Sequence, residues 1–149
     1  MTVRLLITVG AAVVAATALS GGAGATPPEG DTVRVDLANG TTEGPVTINT
    51  SGPSALVVQE LTITPGASSG WHTHPGPEYS VINDGAVQLQ TALACSPVDY
   101  AAGQAVFIPA GVPHRVANES GHDAQVVVTY TLPVDTAVRG DSPDVCAGR

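Results

Sequence analysis

GASSGWHTHPGPEYSVINDG, Gly66 to Gly85, holds two of the chain's four histidines, two residues apart, with a glutamate four residues after the second. If the segment through His72 and His74 is extended, side chains alternate in direction, so both imidazoles leave one face roughly 6 to 7 Å apart along the strand. They can converge on a single ion. Pro75-Gly76-Pro77 forbids helix continuation and lets the chain reverse, which predicts that Glu78 reaches the same point from a neighbouring strand.

Outward from this stretch, the fourth candidate ligand is His114, which follows Pro109-Ala110-Gly111-Val112-Pro113 and opens a short β-rich run. Two prolines flanking a glycine exclude regular structure in that loop. Three neutral imidazoles and one carboxylate suit Mn, Fe, Co, Ni, Cu or Zn. Such a set leaves one or two positions of a five- or six-coordinate ion for water or substrate, so it describes an open site and not a closed structural one. Each residue taken alone could be a satisfied core histidine or a turn polar. Four ligand types at matched spacing argue for the metal.

The flanking sequence reads as β throughout. Asp31 to Ala38 alternates Val33, Val35 and Leu37 with polar residues, which predicts a half-buried strand ended by Asn39-Gly40. Pro45 to Thr50 and Ala55 to Thr64 are rich in β-branched residues and predict two more strands. Tyr79 to Asn83 and Ala86 to Ala92 lie on either side of Asp84-Gly85, a hairpin signal. Val98 to Tyr100, Gln104 to Ile108, Arg115 to Ala117 and Ala124 to Leu132 complete the set, and the tail after Pro133 reads as polar and irregular. Short strands with frequent turn signals predict an all-β sandwich or barrel. With five aromatic residues in all, its core must be mainly Val, Ile, Leu and Ala.

Gly66, His72, His74, Glu78 and Gly85 fit the pattern G-x5-H-x-H-x3-E-x6-G, and Gly103, Pro109, Gly111, His114 and Asn118 fit G-x5-P-x-G-x2-H-x3-N. The pair resembles the two signature motifs of the cupin superfamily, with no departure at any motif position. The resemblance implies a small single-domain cupin: a double-stranded β-helix, or jelly-roll-like β-barrel, over residues 31–133. It also implies a divalent metal bound inside by His72, His74, Glu78 and His114. A homodimer joined through edge strands is a further expectation from the family.

The N-terminus reads as a secretory signal over residues 1–25: Arg4, an apolar run from Leu5 to Leu19, and a small-residue end with an A-x-A pattern. The apolar run is shorter than the roughly 18 to 20 residues needed to cross a bilayer. An uncleaved anchor is the alternative. Residues 26–30 then form a linker, and the mature protein is expected to be secreted or otherwise extracytoplasmic, with no membrane attachment. Removing residues 1–25 takes away Arg4 and no acid, leaving four arginines, no lysine and thirteen acids, a net charge near −9. Such a chain lacks the basic stripe that nucleic-acid binding requires. Cys95 and Cys146 are the only cysteines, and an even count in an exported chain predicts a disulfide tethering the tail, residues 134–149, with two free thiols as the alternative.

Few groups could act beside the metal. Gln59 is in phase with Val57, Leu61 and Ile63, whereas Gln88 and Gln90 share a face of the next strand pair; water-facing amides are the favoured reading of all three. Tyr79, Tyr100, Tyr130 and Arg115 are alternatives, with Tyr79 pointing away from Glu78. Trp71 points opposite to the ligands and packs. His122 reads as exposed, and Asn118 as a turn residue bonded to backbone. The functional expectation is a metal-dependent oxygenase acting on a small molecule. The alternative is a non-catalytic module that binds a small ligand or metal.

Overall fold

A computed structural model describes residues 33–148. The expected signal and linker lie outside them. Among the described residues every regular element is a strand: β1 (Ser54–Ile63), β2 (His72–Thr73), β3 (Glu78–Asp84), β4 (Ala86–Thr91), β5 (Ala94–Ala101), β6 (Ala105–Ile108), β7 (His114–Ala117), β8 (Ala124–Pro133) and β9 (Gly140–Asp141). They form two antiparallel sheets, one in the order β1-β8-β3-β6 and one in the order β5-β4-β7-β2-β9. The sheets face each other as a jelly-roll barrel, the double-stranded β-helix that the motifs imply.

Alternation decides what goes between the sheets. Along β8, Ala124, Val126, Val128, Tyr130 and Leu132 point inward, and β3, β4 and β6 add Ile82, Val87, Leu89, Val106 and Ile108. Val, Leu and Ile thus make up most of the core between the sheets. β-branched residues on a pleated, half-buried surface are where that side-chain shape packs best.

Three expectations need correction. The alternating run from Asp31 to Ala38 forms no strand over its described part, and Val33, Val35 and Leu37 are 86%, 74% and 71% exposed. Residues 45–50 likewise stay irregular and exposed. Neither segment joins either sheet, so its β propensity goes unused. Asp84-Gly85 does not close a hairpin either: β3 and β4 belong to opposite sheets, so this turn is a corner of the barrel. Gly85 sits at φ 71°, with the Asp123 carbonyl and Ala124 so close that a Cβ would collide with them. That corner explains the glycine without a hairpin.

The strand expected at Val98 to Tyr100 extends upstream through Pro97 to Ala94. β5 lies at a sheet edge, where a proline without an N–H removes no ladder bond. The tail is less irregular than its composition predicts. β9 pairs with β2, placing Asp141 opposite His72 and Gly140 opposite Thr73. Cys95 and Cys146 are joined as a disulfide, with their Cα atoms 5.5 Å apart.

Candidate metal centre

His72 and His114 are directly opposed across the β2–β7 ladder. His74 follows one residue beyond β2 on the same face. Pro75-Gly76-Pro77 then carries the chain across to the other sheet, where Glu78 opens β3 opposite Ile108 and Tyr130. The carboxylate therefore comes from the facing sheet, not from a neighbouring strand. Gly76 is required at the crossing because a Cβ there would run into the Thr131 carbonyl.

The four side chains meet as the spacing predicts. His72, His74, Glu78 and His114 are all buried, and one potential ligand atom from each lies within 4.8 Å of the others. Glu78 Oε2 is 3.0 Å from His74 Nε2 and 3.3 Å from His114 Nε2. Each imidazole has its other nitrogen against a backbone carbonyl: His72 Nδ1 on Gly70 at 2.9 Å, His74 Nδ1 on Val138 at 2.6 Å, and His114 Nδ1 on Val112 at 2.9 Å. A carbonyl has no hydrogen to give, so in the neutral ring the proton sits on Nδ1 and the Nε2 lone pair faces the centre. This is how ligating histidines are oriented.

The electrostatics agree. Burial, together with the neighbouring His114, Arg139 and His74, lowers the His72 pKa to about 4 against the pull of its Gly70 bond. The ring is neutral, as a ligand must be. For Glu78 burial opposes ionisation, but the adjacent His114 and His74 rings and the Ser80 hydroxyl outweigh it and hold the carboxyl well below the usual carboxylate range. Ser80 Oγ donates to Glu78 Oε1 at 2.6 Å, which leaves Oε2 for the centre. The buried Nε2 atoms of His74 and His114 have no hydrogen-bond partner. Buried unsatisfied nitrogens around a carboxylate are costly unless something electrophilic fills the gap. The donor set and the orphaned nitrogens fit a divalent cation.

The PAGVP loop does two jobs at once. Gly111, at φ 73°, donates its N–H to the His74 carbonyl at 2.8 Å, and Val112 supplies the carbonyl that orients His114. Asn118 takes no part in the centre: its amide donates to the Ile63 and His122 carbonyls and accepts from Ser120, which locks the turn after β7.

Two spaces adjoin the centre. An apolar chamber of about 60 Å³ lies between the sheets, with His72, Glu78, Ser80 and Tyr130 at its polar end. An outer cleft of about 490 Å³ runs from Gln59 past His72, His74 and Tyr130 to Val138 and Arg139. Of the secondary candidates, Gln59 lines this cleft. Gln88 and Gln90 face outward and bond Asp99 and the Cys95 carbonyl. Arg115 also faces away, toward Gln90 and Glu119. Tyr130 is buried with its ring centroid 4.5 Å from that of His74. Burial and the adjacent Glu78 push its phenol above the ordinary value, so it stays protonated.

Sequence reasoning missed Ser80, Val138 and Arg139. Ser80 was legible, being in phase with Glu78 and Ile82 on β3. Val138 and Arg139 lie in a polar tail without a period, and the Cys146 tether is the single hint that the tail returns to the barrel.

A cupin-domain family model matches residues 59–130. The chain is also 40% identical over 76 residues to the beta-alanine degradation protein BauB of Pseudomonas aeruginosa, covering 50% of this chain and 79% of that protein. This chain belongs to the cupin superfamily. Solved structures of low identity share its fold. The DMSP lyase DddQ from Ruegeria pomeroyi is 22% identical with a TM-score of 0.53, over 64% of this chain and 48% of that one. Oxalate decarboxylase of Bacillus subtilis, described with Mn(II) centres, is 19% identical with a TM-score of 0.51, over 58% of this chain and 23% of that one. The polyketide cyclase RemF from Streptomyces resistomycificus is 20% identical with a TM-score of 0.51, over 66% and 70%. This cupin spans under half the length of the lyase and about a quarter of the decarboxylase.

Proposed function

We propose that this cupin is an exported metalloprotein that holds one divalent transition-metal ion on His72, His74, Glu78 and His114, and that it acts as a metal-dependent oxygenase on a small molecule in the outer cleft. The observation that carries the metal reading is the common aim of the donors. Three imidazoles have their Nδ1 atoms committed to backbone carbonyls, the bare Nε2 atoms of His74 and His114 meet one oxygen of Glu78, and a ligand atom of His72 lies within 4.8 Å of the rest. Four protein ligands leave room at the ion for a substrate oxygen or for O2, and that is the chemistry a bound ion would supply.

The protein's own residues set the limits of that chemistry. Glu78, fixed by Ser80, stays ionised as a ligand. Tyr130 keeps its proton and can donate a hydrogen bond, but it is a poor base at neutral pH. The apolar chamber excludes bulk water from the inner side of the centre. Export is supported by the sequence of residues 1–25 and by the Cys95–Cys146 pairing, which suits an oxidising compartment. Outside the cytoplasm the ion would be acquired from a pool in which intrinsic affinity favours Cu and Zn.

Scarcity of acid–base groups in the cleft favours the second reading, a cupin that binds a small ligand without turning it over. Oxygen uptake separates the two. Metal-loaded protein screened with enols, catechols and small acids should consume O2 with at least one class if it is an oxygenase. Saturable ligand binding with no uptake across the screen would support the binding module instead.

A further inference from the structure

We propose that the outer cleft reads the carboxylate of a small organic acid and that Arg139 is the group that reads it. This rests on the metal reading above and adds a substrate class to it. Arg139 is the one cationic side chain lining the cleft among the described residues. Its Nη2 lies 3.8 Å from where a Cβ on Gly70 would stand, and the Gly70 carbonyl is the acceptor for His72 Nδ1. The guanidinium is thus one residue's width from the first ligand. Asp141 also bonds it, with Nε and Nη2 both 3.1 Å from Oδ1. That carboxylate is 90% exposed, so water screens the pair and leaves Arg139 positive toward the cleft.

The rest of the molecule makes this charge stand out. The chain has a net charge of −8 and no lysine, so its general field repels anions. Arg115 is turned outward toward Glu119, and Arg34 belongs to the segment ahead of β1. A planar guanidinium offers a carboxylate two parallel N–H bonds, which is the match it makes best. The cleft and the apolar chamber share Leu61, Ile63, Ser69, His72 and Tyr130 as walls. A bound acid would put its head at the mouth and its carbon atoms toward the chamber. About 60 Å³ limits those carbons to a few.

The tail sets the position of Arg139. Val138 bonds His74 Nδ1, β9 pairs with β2, Ser142 donates to the Trp71 carbonyl at 3.0 Å, and Cys146 is joined to Cys95. These contacts form a strap across the mouth, with the cation at its centre.

The test is calorimetric titration of the full mature chain loaded with Co2+, using acetate, butanoate and benzoate beside acetamide, butanamide and benzamide. Wild type should bind at least one acid at least about tenfold more tightly than its amide. Arg139→Gln should weaken that acid about tenfold while leaving the amide and Co2+ affinities within about twofold, and Arg139→Lys should fall between. Equal acid affinity in Arg139→Gln and wild type would overturn the proposal, as would no acid preferred over its amide. So would a loss of Co2+ affinity in Arg139→Gln as large as the loss of acid affinity, since that would make the residue a support of the strap. Failure of Co2+ to bind wild type would sink the metal reading instead. Titration of the metal-free chain would then judge Arg139 by the same tenfold criterion.

Discussion

Residues 33–53 run ahead of β1 with Val33, Val35, Leu37 and Ile48 exposed, whereas residues 134–148, after β8, supply a carbonyl to His74, a strand to the edge of β2 and a cysteine to Cys95. By propensity the order should be reversed. The N-terminal segment has the alternation and the β-branched residues; the tail has no apolar period, and three acids interrupt it. Alternation records only that a segment could be a strand, while a partner edge decides whether it becomes one. The N-terminal segment touches the barrel at isolated points, a Thr41–Gln104 bridge and the Leu37 carbonyl held by Asn83 Nδ2 at 2.8 Å. The tail is held at both ends and in the middle.

This contrast can be broken experimentally. Deleting residues 134–149 removes the carbonyl that orients His74 together with Arg139, and should weaken metal binding by about 10- to 100-fold, the usual loss when a ligand's outer partner is removed. Competition against a chelator of known affinity measures it. Affinity equal to that of the intact chain would mean that the strap contributes nothing to the centre. At the other end the expected effect is close to zero: Val33→Ser with Val35→Ser should shift unfolding free energy by no more than about 0.5 kcal/mol, as for any exposed pair. Denaturant melts of the mature chain would show it, and a loss several times larger would reveal a partner for that segment.

Legibility followed the same physics. β1, β3, β4, β6, β7 and β8 were readable because each has four or more residues, long enough for alternation or β-rich composition to show. β2 and β9 were not, since a two-residue strand has no period to detect. The Asp84-Gly85 signal correctly marked a tight turn with positive φ, but the residues that make a hairpin turn also make a barrel corner, and only the facing sheet distinguishes them. For the site, the convergence of His72, His74, Glu78 and His114 was readable from spacing and motif. What lay outside the sequence was their support. Backbone carbonyls of Gly70, Val112 and Val138 orient the rings, and a carbonyl is the same atom in every residue.

That support makes the centre's central claim direct to test. Purified from its native compartment, the wild-type protein should contain one transition-metal ion per chain by elemental analysis. His74→Ala and Glu78→Ala, shown by circular dichroism to keep their β structure, should contain far less. Full occupancy in both variants, or a wild-type protein that takes up no transition metal when offered the series from Mn to Zn, would contradict the account.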